Sequence, residues 1–247
     1  RPPWSHPARR TVPVAAPSLH AQLGAGRRVA RRVRLGAIGH RPQRRRLIAL
    51  QLDVRDTGSV HSAVSAALDA GPIDVLINNA GYSFRAAVEE TDDDELLRQF
   101  DTNLFRVVRL VRAVAPGMRA RRCGTIVNVS SVVTSAPLPF SGGYTSSKAA
   151  LSALTESMHY ELAPFGIRVV LIEPGPYPTT RFLANMVAGR NSIATSPYAD
   201  LRASYQPAIR RLTSGELTDV QEVADAIYTA VYTDTPRFKY VVGASAE

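Results

Sequence analysis

Residues 73–81 read IDVLINNAG, an apolar run of branched side chains that ends in small polar residues. This pattern is typical of a buried parallel strand and the loop at its carboxyl end. Two later stretches repeat it: residues 125–129 lead into Ser130 and Ser131, and residues 168–172 lead into Glu173, Pro174 and Gly175. Ligands bind at such strand ends in open parallel sheets, so we expect a binding site there.

A Tyr-x-x-x-Lys spacing joins Tyr144 to Lys148 in a chain with 9 tyrosines and only one other lysine. Chance would give roughly 0.07 such pairs. Two glycines followed by residues 144–151 predict a helix start, which places residues four apart on one face. An ammonium about 4 Å away would lower the tyrosine pKa by roughly three units, giving an acid–base near neutrality. The alternative is an ordinary surface contact between the two side chains.

An apolar stripe predicts a helix over residues 92–113, capped by Thr91. The stripe consists of Leu97, Phe100, Leu104, Val107, Val108 and Val111. Asn103 interrupts it, and a buried amide must find hydrogen-bond partners. Asn103 is therefore either a satisfied core residue or part of a polar site.

These features together resemble the short-chain dehydrogenase/reductase family. Its signature has Asn-Asn-Ala-Gly, a helix asparagine, a serine, Tyr-x-x-x-Lys and a Pro-Gly strand end, and all five occur here in that order. The resemblance runs from about residue 50 to residue 243. It implies an α/β fold with a doubly wound, Rossmann-like parallel sheet, as a single domain over residues 47–247.

The resemblance also implies the catalytic residues. Tyr144 would exchange a proton with the substrate oxygen, and Lys148 would lower the tyrosine pKa and hold the nicotinamide ribose. Ser131 would bond the same oxygen, and Asn103 would hold a water that relays protons from Lys148. Ser131 is preferred to Ser130 because the family's serine lies thirteen residues before the tyrosine. Alternation along the strand also sends the two serine side chains to opposite faces.

The implied cofactor is NAD or NADP, and the implied reaction interconverts a small-molecule secondary alcohol and its ketone. The resemblance places Asp53 and Val54 beside adenine, after a strand over residues 47–52, and Asn79, Ala80 and Gly81 at the adenosine ribose. The nicotinamide end would be held by Tyr144, Lys148, Pro174, Gly175 and Thr179. Family members pair through the helices that hold Asn103 and Tyr144. This implies a homodimer or homotetramer, with Leu104, Val108 and Leu154 as candidate contacts.

The first 46 residues depart from the family pattern. They hold 12 arginines and no acidic residue, whereas the rest of the chain holds 18 basic and 21 acidic residues. The glycine-rich phosphate loop is not recognisable there, which leaves the first βαβ unit in doubt. Three explanations compete: a mitochondrial-type presequence, a nucleic-acid-binding arm, and an upstream reading-frame error. The frame error is favoured because it accounts for both the missing loop and the composition, and the coding DNA would test it.

Composition sets further expectations. The 247 residues, 45% of them hydrophobic, suit one globular domain, and no apolar run reaches the roughly eighteen residues that span a bilayer. We therefore expect no membrane partner. Cys123 is the only cysteine, which excludes an intrachain disulfide and suits a reducing, cytoplasmic location. No His/Cys cluster has metal-ligand spacing, so we expect no metal site.

The rest of the chain carries weaker signals. We predict a helix over residues 57–70, a substrate-covering loop with short helices over 176–216, a helix capped by Thr218 that runs to about Tyr232, and a last strand over 239–242. Phe182, Met186, Tyr198 and Tyr205 are candidate substrate contacts. Two other functions remain open. One is a non-catalytic or cofactor-impaired family member. The other, nucleic-acid binding through the arginines, is not expected because no recognition element accompanies them.

Overall fold

The computed structural model describes residues 48–214 and 219–243. Its strands in chain order are β1 (Val75–Asn78), β2 (Phe84–Arg85), β3 (Gly124–Val129), β4 (Ile167–Pro174), β5 (Val187–Ala188) and β6 (Lys239–Val242). Its helices are α1 (Thr57–Asp69), α2 (Asp93–Phe100), α3 (Arg106–Arg121), α4 (Gly142–Leu162), α5 (Arg181–Ala184), α6 (Ala199–Ser214) and α7 (Gln221–Tyr232). The predicted arginine-rich segment 1–46 and the predicted cap Thr218 lie outside the described residues.

Four strands form one parallel sheet in the order β1-β3-β4-β6. In its register Asn78 lies opposite Asn128, and Val129 lies opposite Ile172. Because the strands are parallel and nearly in register, their carboxyl ends meet at one edge. The predicted α/β fold with a parallel sheet is confirmed.

Helices cover both faces of this sheet. Ile126 packs into one apolar cluster with Val107 of α3 and Leu151 of α4, whereas the next residue, Val127, packs into a second cluster with Val231 of α7. Successive side chains of a strand point to opposite faces, so each central strand needs apolar residues at every position. This explains the continuous apolar runs of the sequence, and it is the doubly wound arrangement that the resemblance implied.

The prediction of a strand over residues 47–52 is wrong for its described part. Residues 48–53 have no strand structure, and no described residue forms a ladder with them. Leu52 and Val54 are nevertheless buried, because they pack against Val60 and Val64 of α1. The apolar residues there are therefore buried by packing against helix α1 and not by pairing within the sheet.

The long helix predicted over residues 92–113 is two helices joined by a π-helical turn, Asp101–Phe105. Its cap is Asp92, whose carboxylate accepts from the Glu95 amide at 3.2 Å, and not Thr91, whose hydroxyl bonds the Ala87 carbonyl. The second helix, α3, continues to Arg121. Leu97, predicted as part of the apolar stripe, is 61% exposed. The π turn changes the phase of the helix, so one continuous stripe cannot face the core.

Other boundaries also differ from the predictions. Helix α4 begins at Gly142, inside the predicted glycine lead-in, and α7 begins at Gln221 with no side-chain cap from Val220. Helix α6 has 16 residues where only short helices were predicted. Helix α1 and strand β6 agree with the predictions.

Gly166 allows the chain to turn from α4 into β4, and its replacement should destabilise the fold. Its φ is +71°, and a Cβ there would overlap the carbonyl oxygen of Arg122. We expect Gly166→Ala to lower the free energy of unfolding by about 2 to 4 kcal/mol. Gly117→Ala is the control: a Cβ at Gly117, inside α3, meets only the end of the Arg121 side chain at 3.5 Å, so we expect a gain of about 0.5 to 1 kcal/mol. Urea titration of both variants measures the difference, and equal effects would contradict this role.

Candidate active site

Tyr144 and Ser131 meet at the edge where the strands end. Tyr144 lies in the first turn of α4 and Ser131 directly follows β3, and both are buried at 7% and 9% exposure. The Ser131 hydroxyl hydrogen-bonds the phenol, and this bond lowers the pKa of Tyr144, but burial has the larger effect and raises that pKa to about 12. The structure thus corrects the predicted direction of the tyrosine pKa.

Lys148 explains why the predicted lowering does not occur. Its Nζ lies 5.9 Å from the centroid of the Tyr144 ring and donates to the Val129 carbonyl at 2.7 Å. Burial, and secondly the positive charge of Arg106, lower the pKa of Lys148 itself to about 7. Burial removes the water that stabilises an ammonium, and the positive charge of Arg106 disfavours the charged form further. The lysine therefore titrates near neutrality in place of the tyrosine.

Asn103 is both a satisfied amide and a member of this site. From the π turn its Oδ1 accepts from the Tyr82 amide at 3.3 Å, and its Nδ2 donates to the Tyr82 carbonyl at 3.2 Å and to Ser147 Oγ at 3.0 Å. Gly81 brings it next to the lysine: a Cβ on Gly81 would lie 3.2 Å from Asn103 Oδ1 and 3.7 Å from Lys148 Nζ. The predicted water relay through Asn103 stays a prediction.

The two adjacent serines face different ways, as strand alternation predicts. Ser131 faces the phenol of Tyr144. The Ser130 hydroxyl donates to the Lys148 carbonyl at 3.1 Å and lies 2.8 Å from the Ser152 hydroxyl. Ser130 therefore holds the backbone of α4, and Ser131 has its hydroxyl at the site.

The predicted cofactor residues fall into two groups. Five of them follow β1 or end β4 at the same edge as Tyr144: Asn79, Ala80, Gly81, Pro174 and Gly175. Thr179, exposed, follows in the loop after β4. The second group, Asp53 and Val54, lies earlier in the chain. Val54 is a buried core residue, and the Asp53 carboxylate pairs with Arg55 at 2.9 Å. Arg55 also lowers the pKa of Asp53, so this carboxylate already has a cationic partner.

The donors at the sheet edge fit the ribose of a nicotinamide nucleotide. An ammonium has three hydrogens, and the bond to Val129 uses one, which leaves Lys148 able to donate to vicinal hydroxyls. Gly81 has no side chain to fill the space between Asn103 and Lys148. This fit concerns the nicotinamide ribose alone, because the segment where the family has its phosphate loop lies outside the described residues.

The segment after β4 folds back beside the site. Strand β5 pairs with β2, and the Gly189 amide donates to the Arg85 carbonyl at 2.7 Å. Further along, Arg202 pairs with the nearly buried Glu90 at 2.8 Å. Phe182 of the same segment contacts the Tyr144 ring, with 5.6 Å between ring centroids. The predicted covering loop is thus anchored on residues that follow β1.

Sequence reasoning missed two buried polar chains behind the site. In one, Asn78 donates to Asn128 at 2.8 Å and Asn128 donates to Thr155 of α4 at 2.9 Å, which ties β1 and β3 to that helix. The other is centred on Glu173. The signal was available, because an amide or carboxylate inside an apolar strand needs a buried partner. The identity of the partner was not, since each lies far away in the sequence.

Comparison with known proteins shows the family. The model described as short chain dehydrogenase matches residues 21–190, and so includes part of the arginine-rich segment. The chain belongs to the short-chain dehydrogenase family. The proposed domain boundary at residue 46 stays a prediction.

This short-chain dehydrogenase has named relatives. It is 36% identical over 183 residues to the uncharacterized oxidoreductase YusZ of Bacillus subtilis, covering 72% of this chain and 63% of that protein. It is 37% identical over 196 residues to human retinol dehydrogenase 8, covering 77% of this chain and 62% of the relative. A 3-ketodihydrosphingosine reductase of Bacteroides thetaiotaomicron is 34% identical over 197 residues, covering 78% and 72%.

Two solved structures are similar over most of the short-chain dehydrogenase described here. A short-chain dehydrogenase from Streptomyces avermitilis has a TM-score of 0.71 and 33% identity, covering 81% of this chain and 72% of that one. A short-chain dehydrogenase/reductase from Burkholderia phymatum, crystallised in complex with NAD, has a TM-score of 0.67 and 27% identity, covering 79% and 70%. Within residues 48–214 and 219–243, no helix has the length and apolar character needed to span a bilayer.

Proposed function

We propose that this chain is an NAD(P)-dependent oxidoreductase that interconverts a secondary alcohol and a ketone, with Tyr144 as the acid–base. The observation that carries the proposal is the hydrogen bond between Ser131 and the buried Tyr144 phenol, beside Lys148 and Gly81. Two hydroxyls that meet in this way can both donate to one substrate oxygen. The relatives support the class, since one structural neighbour was crystallised with NAD.

The residues of this site suit carbonyl reduction at neutral pH. Because the pKa of Tyr144 is about 12, the phenol carries its proton and can donate it to a carbonyl oxygen that accepts hydride. A bound reduced nicotinamide would supply that hydride. Lys148, with a pKa of about 7, is protonated in part and can hold ribose hydroxyls. In the oxidative direction Tyr144 must first lose its proton, so alcohol oxidation should become faster as the pH rises.

Apolar side chains around the start of α4, the helix of Tyr144, support a substrate with an apolar body. Phe182 packs on the Tyr144 ring, and the Phe140 ring makes edge contacts with Tyr198 at 6.4 Å and Tyr205 at 6.3 Å. Beside Phe140 lies a groove of about 440 Å³, lined mainly by Ala87, Val88, Pro139, Phe140, Tyr198 and Leu201. The names of two relatives refer to retinol and to 3-ketodihydrosphingosine. Of the four predicted substrate contacts, Tyr198 thus lines the groove and Phe182 contacts Tyr144.

The proposal is tested with probe alcohols and both nucleotides. The full chain is incubated with NAD⁺ or NADP⁺ and either 2-dodecanol or 2-propanol, two secondary alcohols with a long and a short apolar body, and formation of reduced nucleotide is followed by absorbance. We expect turnover with 2-dodecanol, a higher KM for 2-propanol, and a preference for one nucleotide. No turnover with either alcohol, together with no nucleotide-dependent shift in melting temperature, would support the cofactor-impaired alternative.

We also propose that the chain forms a homodimer or homotetramer through α3 and α4. Phe105, at the start of α3, is 44% exposed, and the predicted contacts Leu104, Val108 and Leu154 are half-buried. Leu104 and Leu154 also pack against the core, so only the exposed part of each side chain would contact a second chain. We expect light scattering to give a mass of two or four chains, and Phe105→Glu to lower it. A monomeric mass for the unchanged protein would contradict the proposal.

A further inference from the structure

Glu173 is a buried carboxylate that the proposed chemistry does not use. It occupies β4 directly before Pro174 and Gly175 and is 3% exposed, in a strand whose other central positions are apolar. Its Oε1 accepts from the hydroxyls of Thr134 and Ser152, each at 3.2 Å, and its Oε2 lies 3.3 Å from Lys239 Nζ. A carboxylate in such a strand costs free energy unless its partners compensate, so the partners indicate its role.

The two hydroxyl partners belong to the two elements that hold Ser131 and Tyr144. Thr134 lies in the short turn that Ser131 begins, and its single hydroxyl hydrogen is shared between Glu173 Oε1 and the Ser131 carbonyl, which lies 3.0 Å away. Ser152 lies on α4 four residues after Lys148, and its hydroxyl contacts Ser130, which bonds the Lys148 carbonyl. One carboxylate oxygen therefore links the serine turn, the helix of Tyr144 and Lys148, and the strand end at Pro174.

We propose that Glu173 is a positioning residue that keeps the Ser131 hydroxyl in contact with the Tyr144 phenol. The inference rests on the proposed function for its catalytic consequence. Ser131 and Tyr144 come from separate elements and are 9% and 7% exposed, so their contact depends on how the serine turn packs against α4. Glu173 bonds both sides of that junction. A shift of about 1 Å in such a pair can lower a rate on the order of a hundredfold.

The ion pair with Lys239 is not what gives Glu173 this role. The Lys239 side chain is 46% exposed, and exposed pairs contribute little because water and salt screen them. Lys239 lies on β6 and bonds neither the serine turn nor α4. This difference provides matched variants: Glu173→Ala removes the acceptor, Glu173→Gln keeps an acceptor oxygen without the charge, and Lys239→Met removes the ion pair alone.

The kinetic test uses these three variants of the full chain with the 2-dodecanol assay. We expect Glu173→Ala to lower kcat on the order of tenfold with little change in the nucleotide KM, because geometry and not binding is altered. Glu173→Gln should recover most of that loss, and Lys239→Met should match the unchanged protein. An unchanged kcat in Glu173→Ala, or an equal loss in Lys239→Met, would overturn the proposal. Melting temperatures confirm that each variant is folded at the assay temperature.

A second readout does not depend on turnover. Tyrosine labelled with carbon-13 at Cζ reports on the phenol by NMR, and the Tyr144 signal is identified by its loss in Tyr144→Phe. We expect Glu173→Ala to move this signal in the same direction as Ser131→Ala, and Lys239→Met to leave it in place. A signal unmoved in Glu173→Ala would refute the positioning role. If the unchanged protein shows no turnover with any probe, the proposed function fails, and the NMR result still decides this inference.

Discussion

Tyr144→Phe is expected to abolish turnover while nucleotide affinity stays within about threefold of that of the unchanged protein. The change removes one hydroxyl and keeps the ring, so the contact with Phe182 and the burial of the side chain are preserved. Loss of a positioned proton donor costs about 10² to 10⁴ in rate, and Ser131 alone cannot supply the proton because its hydroxyl is a far weaker acid. Steady-state kinetics and a fluorescence titration with NADH and NADPH measure the two quantities.

Tyr160→Phe is the matched control for this experiment. Tyr160 lies on the same helix and is 67% exposed, and its hydroxyl makes a long contact of 3.5 Å with Glu156. The variant keeps the ring and so keeps its contact with His159. We expect its removal to leave both rate and affinity unchanged. Retained turnover in Tyr144→Phe would refute the acid–base assignment, whatever the control shows.

Lys148→Met is expected to be the second large change, and it should act on function and stability in opposite directions. Removing the ammonium takes away the donor that would hold the nicotinamide ribose, so we expect kcat to fall on the order of a hundredfold or more and the nucleotide KM to rise. Lys239→Met, at a half-exposed position outside the site, is the control and should show neither effect.

The stability of Lys148→Met should depend on pH. In the folded protein burial lowers the pKa of Lys148 from 10.5 to about 7, so holding the ammonium inside destabilises the fold. This penalty is fully present below pH 7 and is relieved as the pH rises from about 7 towards 10.5, where the unfolded chain also loses the proton. Methionine has no such penalty. We expect the variant to be more stable by on the order of 2 kcal/mol near pH 6, after allowing for the lost bond to the Val129 carbonyl.

Urea titrations at several pH values between 6 and 10 test this expectation. The difference in unfolding free energy between Lys148→Met and the unchanged protein should shrink steadily as the pH rises. A difference that is constant over this range would show that Lys148 does not titrate inside the fold.

The central strands, and the position of the candidate site residues at their ends, were predictable because their signals are local. A parallel strand covered on both faces must be apolar at every position, and its carboxyl end must turn, so β1, β3 and β4 were located to within three residues. The spacing between Tyr144 and Lys148 likewise places both on one face of a helix without knowledge of the rest of the fold.

The parts that could not be predicted depend on distant contacts. The direction of the Tyr144 pKa follows from burial beneath segments far away in the chain, and local spacing indicated only the lysine. Glu173 finds Thr134 and Ser152 across 39 and 21 positions of sequence. Residues 48–53 have strand-like composition but form no strand, and Leu52 is buried in the core cluster that includes Val60 and Val64 of α1. The sequence pattern indicates that a side chain will be buried, but it does not indicate which distant residues will bury it.

The π turn between α2 and α3 makes the site sensitive to chain length. Asn103 faces Gly81 because one residue more than an α-helix requires is accommodated in Asp101–Phe105. Deleting a single residue there would let the two helices merge, and each residue of an α-helix advances the chain by roughly 100°. The amide would then turn away from the Tyr82 backbone and Ser147, although every proposed site residue would still be encoded. Loss of one codon between these two helices would therefore disrupt the proposed site more than many substitutions in the core.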